Sequence, residues 1–142
     1  MKLLHAFSKM ALGLTLLASA AAFADVVVIV SAKNANYGLE KTDVEQIFLG
    51  KTSTFPDGSK AVPIDQNEGS ASRDAFNDRV LGKSASQLKA YWSRLIFTGK
   101  GTPPKESGND AEVKALVADN PNLVGYVDAK VVDSSVKIVF KF

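Results

Sequence analysis

The sequence predicts an α/β fold with a mostly parallel sheet flanked by helices. Residues 25–32 form a run of Val and Ile with no polar residue between Val26 and Val30. Such a run is typical of a strand that is buried on both faces. Short amphipathic helices with capping signals then alternate with further apolar strands. This alternation favours one sheet with helices packed against it.

Each helix is predicted from an N-cap signal followed by apolar residues three or four positions apart. The predicted helix starts are Thr42, Ser70 or Ser72, Ser84 and Asn109. The strands are predicted from short apolar runs bounded by Gly, Pro or polar turns. These runs are residues 25–32, 61–65, 123–127, 131–132 and 136–142. Trp92 falls in the apolar stripe of the third helix, where we expect it in the core rather than against a ligand.

The first 24 residues have the pattern of a cleaved secretory signal peptide. Lys2 and Lys9 precede an apolar run over Ala11–Ala22, and Ala22-Phe23-Ala24 is a small-x-small cleavage site before Asp25. The apolar run is shorter than the roughly 20 residues that a bilayer requires. We therefore expect a periplasmic protein with a signal peptide over residues 1–24 and a single domain over residues 25–142.

Cleavage changes the charge of the chain. The sequence has 17 basic and 15 acidic residues, and losing Lys2 and Lys9 leaves 15 of each. A mature net charge of zero does not favour a broad basic surface for nucleic acid, so no nucleic-acid partner is expected. The basic isoelectric point of the whole sequence arises in part from the targeting segment.

The absence of two residue types limits the chemistry. His5 is the only histidine and leaves with the signal peptide, and the chain has no cysteine. Ser–His and Cys–His catalysis and ordinary zinc or copper sites are therefore excluded, and we expect no enzyme, no metal and no cofactor. The pairs Asp43/Glu45 and Asp110/Glu112 fall in predicted first helical turns, where acids stabilise the helix dipole.

The turn before the second helix is the candidate functional site. Free N–H groups at a helix start, with the hydroxyls of Ser70 and Ser72, can hold an oxyanion, and Arg73 adds a positive charge. Two other interpretations stay open. The hydroxyls could serve only as N-caps, and Arg73 could point to solvent. Asn109, at another helix start, is a weaker candidate neighbour.

Four segments together resemble the periplasmic phosphate-binding proteins of ABC transporters, which have the type II periplasmic binding fold. They are "LEKTDVEQIFLGK" at residues 39–51, "QNEGSAS" at 66–72, "SGNDAEV" at 107–113 and "NPNLVGYV" at 120–127. The second segment lies where the family has Arg-x-Asp-Gly-Ser-Gly-Thr, its phosphate-binding turn. The resemblance spans about residues 39–127.

The resemblance implies a set of ligand-binding residues, although the match is incomplete. Gly69 and Ser70 are identical to the family pattern, and Ser72 keeps the hydroxyl of the Thr. Gln66 occupies the place of the Arg, whose bidentate contact with phosphate a Gln cannot reproduce. The implied oxyanion-binding residues are Gln66, Gly69, Ser70, Ala71, Ser72 and Arg73, with Asn109 nearby.

The chain has the length of one lobe of this two-lobed family. The resemblance implies a periplasmic solute-binding protein for phosphate or a related oxyanion, linked to ABC-type phosphate uptake. An ABC transporter permease, another envelope protein or a second copy of the chain would supply the missing wall of the site. The alternative is a single-lobe protein–protein interaction module with little or no ligand affinity.

Overall fold

The computed structural model describes residues 25–142, and the predicted signal peptide lies outside the described residues. Five strands form one sheet: β1 (Val26–Ser31), β2 (Val62–Asp65), β3 (Lys105–Glu106), β4 (Leu123–Asp128) and β5 (Val136–Lys141). Their order across the sheet is β3-β2-β4-β1-β5. The short strand predicted at residues 131–132 is instead the end of a 3-10 turn, Ala129–Val131, and the extended residue that follows it.

Strand direction agrees with the sequence prediction except at β1. β2 is parallel to β3 and to β4, whereas β1 is antiparallel to both β4 and β5. Four strands therefore run the same way, and β1 runs against them. A Val/Ile run indicates burial on both faces but not direction, because a central strand covered by helices is apolar in either orientation.

Three α-helices pack on the sheet: α1 (Lys41–Phe48), α2 (Ala71–Phe76), which continues as a π-helix over Asn77–Leu81, and α4 (Asp110–Asp119). A fourth helix, α3 (Ala85–Phe97), lies beside the end of α1, where the Tyr91 hydroxyl donates to the backbone oxygen of Leu49 at 2.6 Å. The predicted N-caps at Ser70, Ser84 and Asn109 are confirmed. The predicted start of α1 at Thr42 is wrong, since the helix begins at Lys41 after the N-cap residue Glu40. Asp43, at the third helical position, accepts from the N–H of Glu40 at 2.8 Å, and this bond supports the earlier start.

One face of the sheet carries an aromatic core. Phe76 stacks on Tyr126 with ring centres 4.2 Å apart, and Phe48 meets Phe76 edge-on at 4.7 Å. All three rings are buried. This arrangement fixes α1 and α2 over β4, because aromatic pairs add specific geometry to the burial of apolar area.

The other face is covered by α4. Val113 and Val117 are fully buried there, with Ile64 of β2 beside them. Gly125 in β4 permits this packing, because a Cβ at that position would lie 2.8 Å from Val113 Cγ1. The close approach of α4 to the sheet therefore depends on a glycine.

The topology assembles the site at one edge of the sheet. β2 and β4 are parallel, with Val62 opposite Leu123, so their carboxyl ends lie at the same edge. α2 follows β2, and α4 follows β3, so both helices begin at that edge. In open α/β sheets, crevices at the carboxyl ends of parallel strands are the usual place for ligands.

Candidate functional site

The predicted turn and the predicted second helix start lie side by side at the carboxyl end of β2. A partly buried hydrogen-bond network links Gln66 and Ser72 to Asp110, at the start of α4. The structure thus brings together two segments, residues 66–73 and 109–110, that are about 40 positions apart in the chain.

Gln66 is a buried residue whose polar atoms all have protein partners. Its side chain is 1% exposed. Nε2 donates to Asp110 Oδ1 and to the backbone oxygen of Tyr126, each at 2.8 Å, and Oε1 accepts from Ser70 Oγ at 2.6 Å. A carboxamide is suited to this position because it offers two donors and one acceptor in one plane. In this structure Gln66 holds the turn rather than presenting a free group to solvent.

Asp110 is the centre of the network, although its place in the sequence predicts only a helix-dipole role. Its Oδ1 accepts hydrogen bonds from Gln66 Nε2, Ser72 Oγ and the backbone N–H of Asp128, each at 2.8 Å. The carboxylate therefore ties together the starts of α2 and α4 and the end of β4. The only sequence signal for this role is its position directly after the N-cap Asn109.

The two serine hydroxyls point into the protein. Ser70 caps α2 by accepting from the N–H of Arg73 at 3.3 Å, and its own hydroxyl donates to Gln66. Ser72 is 3% exposed and donates to Asp110. The N-cap interpretation of Ser70 is thus confirmed. The hydroxyl of Ser72 is an inward-facing link between helices.

Arg73 does not point freely into solvent. Its Nη1 donates to the backbone oxygen of Gln66 at 2.9 Å and to Glu106 Oε1 at 2.5 Å, and its Nη2 lies 3.7 Å from Asp65 Oδ2. Burial alone would lower the pKa of Arg73. The hydrogen bond to Glu106 and the negative charge of Asp65 together have a larger effect in the opposite direction, so the pKa of Arg73 is raised. The guanidinium stays charged and sits between two carboxylates.

Asp65 and Tyr126 complete the polar end of the site. The Tyr126 hydroxyl donates to Asp65 Oδ1, and the N–H of Gln66 reaches the same carboxylate at 3.0 Å. Burial raises the pKa of Asp65, while the Tyr126 hydrogen bond and the charge of Arg73 oppose the rise. Burial also raises the pKa of Tyr126, with the nearby charge of Asp65 acting in the same direction.

Donor groups remain at the start of α2. The N–H groups of Ala71 and Ser72 donate no hydrogen bond within residues 25–142, whereas those of Ser70, Arg73 and Asp74 are all paired. Ala71 is exposed and precedes the buried Ser72. Gly69 has a positive φ of 87°, which turns the chain into the helix. Two unpaired N–H groups at a helix start are suited to bind an anion.

Asn109 lies next to this network but is occupied as a cap. Its side chain accepts from the N–H of Glu112 at 2.9 Å, and the residue is exposed. Gly108 before it has a φ of 105°, and a Cβ there would lie 2.7 Å from the Glu112 side chain. The turn into α4 therefore requires a glycine at residue 108.

A cavity of about 530 Å³ adjoins the turn. It lies between α2, α3 and the loop before β3, and Arg73, Asp65 and Glu106 form its polar end. Its apolar walls are formed by Phe48, Phe76, Leu81, Leu88, Trp92 and Ile96. Trp92 is half-buried and lines this cavity. The prediction that it lies in the core is therefore only partly confirmed.

Two classes of structure are not found in the part of the chain that the structure describes. Between residues 25 and 142, no helix combines the length and the apolar character needed to cross a bilayer. The same residues contain no group of three or more acidic side chains placed to hold a metal ion.

Comparison with solved structures identifies the fold as that of phosphate-binding proteins of ABC transporters. A protein described as a phosphate ABC transporter substrate-binding protein from Clostridium perfringens, solved with bound phosphate, matches 81% of this chain with 25% identity and a TM-score of 0.65. An ABC-type phosphate transport receptor from Vibrio cholerae matches 81% with 18% identity and a TM-score of 0.65. PstS from Borrelia burgdorferi matches 82% with 12% identity and a TM-score of 0.61. The resemblance predicted from the four sequence segments is confirmed.

The match covers less than half of each of these proteins. The chain spans 44% of the C. perfringens protein, 45% of the V. cholerae protein and 46% of the B. burgdorferi protein. No family model matches the sequence, and no curated protein sequence matches it. The likeness is thus one of fold over about one lobe.

Proposed function

We propose that this chain binds phosphate or a related oxyanion as a periplasmic solute-binding protein that serves ABC-type uptake, without catalysing a reaction. The observation that carries the proposal is the start of α2, where the N–H groups of Ala71 and Ser72 are unpaired beside the charged Arg73. It occurs in a fold whose C. perfringens neighbour was solved with bound phosphate.

The charges around the turn indicate that binding is weak in the isolated chain. An anion must compete with Glu106 for the Arg73 guanidinium. A helix start contributes about 0.3–1 kcal/mol to an exposed anion, and each charge-assisted hydrogen bond about 1.5–3 kcal/mol. Association costs about 4–15 kcal/mol, so a few such contacts leave little net affinity. The side chains of Gln66, Ser72 and Asn109 contribute through positioning in this scheme.

A second protein surface would strengthen the site. A second copy of the chain, a permease or another envelope protein that covered the open face would exclude water and add donors. The segment over residues 99–108, which includes β3, borders the cavity beside the turn and carries Lys100 and Lys105. If a second copy supplies the wall, affinity rises with protein concentration, because assembly and binding are linked. Light scattering during phosphate titration at several protein concentrations tests this.

The main test is a phosphate titration followed by amide NMR, with two variants of opposite expected effect. Phosphate should shift the amide signals of Ala71 and Ser72 before any others. Arg73→Gln should weaken binding at least about tenfold, the loss of one charge-assisted hydrogen bond. Glu106→Gln should strengthen it about 1.4- to fivefold, since an exposed competing ion pair is worth about 0.2–1 kcal/mol.

Lys130→Gln is the matched control, because Lys130 is exposed and lies outside the site. It should leave the affinity unchanged. Shifts confined to other residues at millimolar phosphate, or a Glu106→Gln protein that binds more weakly than the wild type, would contradict the proposed site. Absence of binding at every protein concentration would instead leave the interaction-module alternative.

The domain boundary is part of the same proposal. We propose that residues 1–24 are removed on export and that the mature chain starts at Asp25. Intact mass measurement of the exported protein tests this, and a mass that retained residues 1–24 would refute it.

A further inference from the structure

Residues 83–105, which run from just before α3 to the first residue of β3, are here called the basic segment. The segment contains five basic residues and no acidic one: Lys83, Lys89, Arg94, Lys100 and Lys105. The rest of the described chain has 10 basic against 15 acidic residues, a net charge of −5. Residues 25–142 are neutral as a whole, because the five positive charges of this segment are balanced by the net negative charge of the remaining residues.

The charges of the basic segment are not neutralised by salt bridges. Among the salt bridges that the structure shows within residues 25–142, none involves any of the five basic side chains. Arg94 instead lies 6.0 Å from the centre of the Tyr91 ring. The segment therefore offers unpaired positive charge to an external partner.

The end of α3 combines this charge with exposed apolar groups. Phe97 is 92% exposed and Ile96 54% exposed, and all residues from 96 to 100 are exposed. Leu88 holds the opposite side of the helix against the protein. Phe97 lies nine positions after Leu88, which is two and a half helical turns, so the two residues are on opposite sides of α3. The Phe97 ring consequently projects away from the body of the domain. Arg94 lies three positions before it and Lys100 three positions after it.

We propose that the end of α3 docks on an anionic lipid surface. Phe97 would enter the interface between headgroups and acyl chains, while Arg94 and Lys100 pair with lipid phosphates. An aromatic ring with neighbouring cations is the composition of interfacial membrane contacts. Residues 96–100 form a small contact area for a protein partner, because stable protein–protein interfaces use about 20–30 residues a side. The inference goes beyond the oxyanion site at the start of α2 and does not rest on it.

The test is flotation of the exported protein with lipid vesicles, after intact mass has verified that residues 1–24 are absent. Vesicles of phosphatidylcholine alone are compared with vesicles that also contain phosphatidylglycerol, at low and at high salt. We expect binding to the anionic vesicles only, and its loss at high salt. Each cation near an anionic surface contributes about fivefold in partitioning, so Arg94→Gln with Lys100→Gln should reduce it about 25-fold.

Two matched controls separate the lipid contact from general effects. Phe97→Ser should lower partitioning on the order of tenfold, because it removes the aromatic ring that the proposed contact would bury in the lipid. Tyr37→Ser alters another strongly exposed aromatic residue, 84% exposed, and should have little effect. Lys33→Gln with Lys130→Gln removes two exposed charges outside the segment and should likewise have little effect.

Three results would overturn the proposal. The first is equal binding to neutral and anionic vesicles, and the second is an equal effect of the Phe97 and Tyr37 variants. The third is retention on heparin, used as a soluble polyanion, without any binding to anionic vesicles. That third result would assign the basic segment to an acidic macromolecule instead of a membrane.

Discussion

Replacement of Asp110 tests whether one carboxylate holds the candidate site together. Its Oδ1 accepts three hydrogen bonds at 2.8 Å, and two of the donors belong to the buried side chains of Gln66 and Ser72. A buried donor left without a partner costs about 1–3 kcal/mol. Gln66 keeps its second amide hydrogen on Tyr126, and neighbouring losses are not additive. We expect Asp110→Ala to lower the free energy of unfolding by about 3–4 kcal/mol.

The conservative variant and a neighbouring acid separate this role from a helix-dipole effect. Asp110→Asn keeps an acceptor oxygen but loses the charge, so about 1–1.5 kcal/mol should be lost, because neutral hydrogen bonds are roughly half as strong as charge-assisted ones. Glu112 lies in the same first turn of α4 and shares the dipole interaction. Glu112→Ala should cost only about 0.5–1.5 kcal/mol, because it also removes the long, exposed hydrogen bond from the N–H of Asn109. If Asp110 served the dipole alone, its alanine variant would cost no more than that of Glu112.

Urea unfolding measures these differences. Trp92, the only tryptophan, reports tertiary structure by fluorescence, and far-ultraviolet circular dichroism reports the helices. Coincident transitions and an unchanged dependence on urea concentration are required for the comparison of free energies. The reasoning would be refuted by an Asp110→Ala protein whose free energy of unfolding lies within about 0.5 kcal/mol of the Glu112→Ala protein.

Two further predictions concern charge and packing. Asp65→Asn should reduce the change in the free energy of unfolding with pH in the acid range. Burial raises the pKa of Asp65 in the folded state above 3.8. The stabilisation from its protonated form is therefore complete below pH 3.8 and is lost as the pH rises through the folded-state pKa. The free energy of unfolding of both proteins, measured across this pH range, tests the prediction. An identical dependence on pH would contradict it. Gly125→Ala should cost about 1–3 kcal/mol through its contact with Val113, whereas Gly38→Ala, with no atom within 4 Å, should cost little. Thermal unfolding compares the two, and equal losses would contradict the packing argument.

The sequence predicted the parts of the fold that depend on local interactions. The capping boxes at Ser84 and Asn109 and the burial of β1 involve residues close in the chain or a simple apolar pattern. The direction of β1 depends on pairing with β4, about 100 residues away, and no local pattern encodes it. The start of α1 differs from the prediction because Asp43 accepts from the N–H of Glu40, which places the N-cap two residues before Thr42.

The sequence predicts that two segments of the candidate site are neighbours but does not predict how their side chains bond. The turn over residues 66–73 and the helix start at Asn109 do lie together in the structure. The family resemblance implies that Gln66 is a weakened substitute for an arginine, whereas the structure gives that side chain three protein partners. Those partners lie 4, 44 and 60 positions away, so only the folded chain reveals them.

The charge balance at Arg73 shows why a motif alone is insufficient for a binding site. In the sequence, Arg73 is a cation beside two hydroxyls, which favours an anion. In the structure, Asp65 and Glu106 already neutralise it, and the hydroxyls are directed to Gln66 and Asp110. The side chain of Asp65 is 17% exposed, whereas that of Glu106 is 51% exposed. An incoming oxyanion should therefore displace Glu106 from the guanidinium and leave Asp65 in place, because the exposed carboxylate regains hydration on release and the buried one does not.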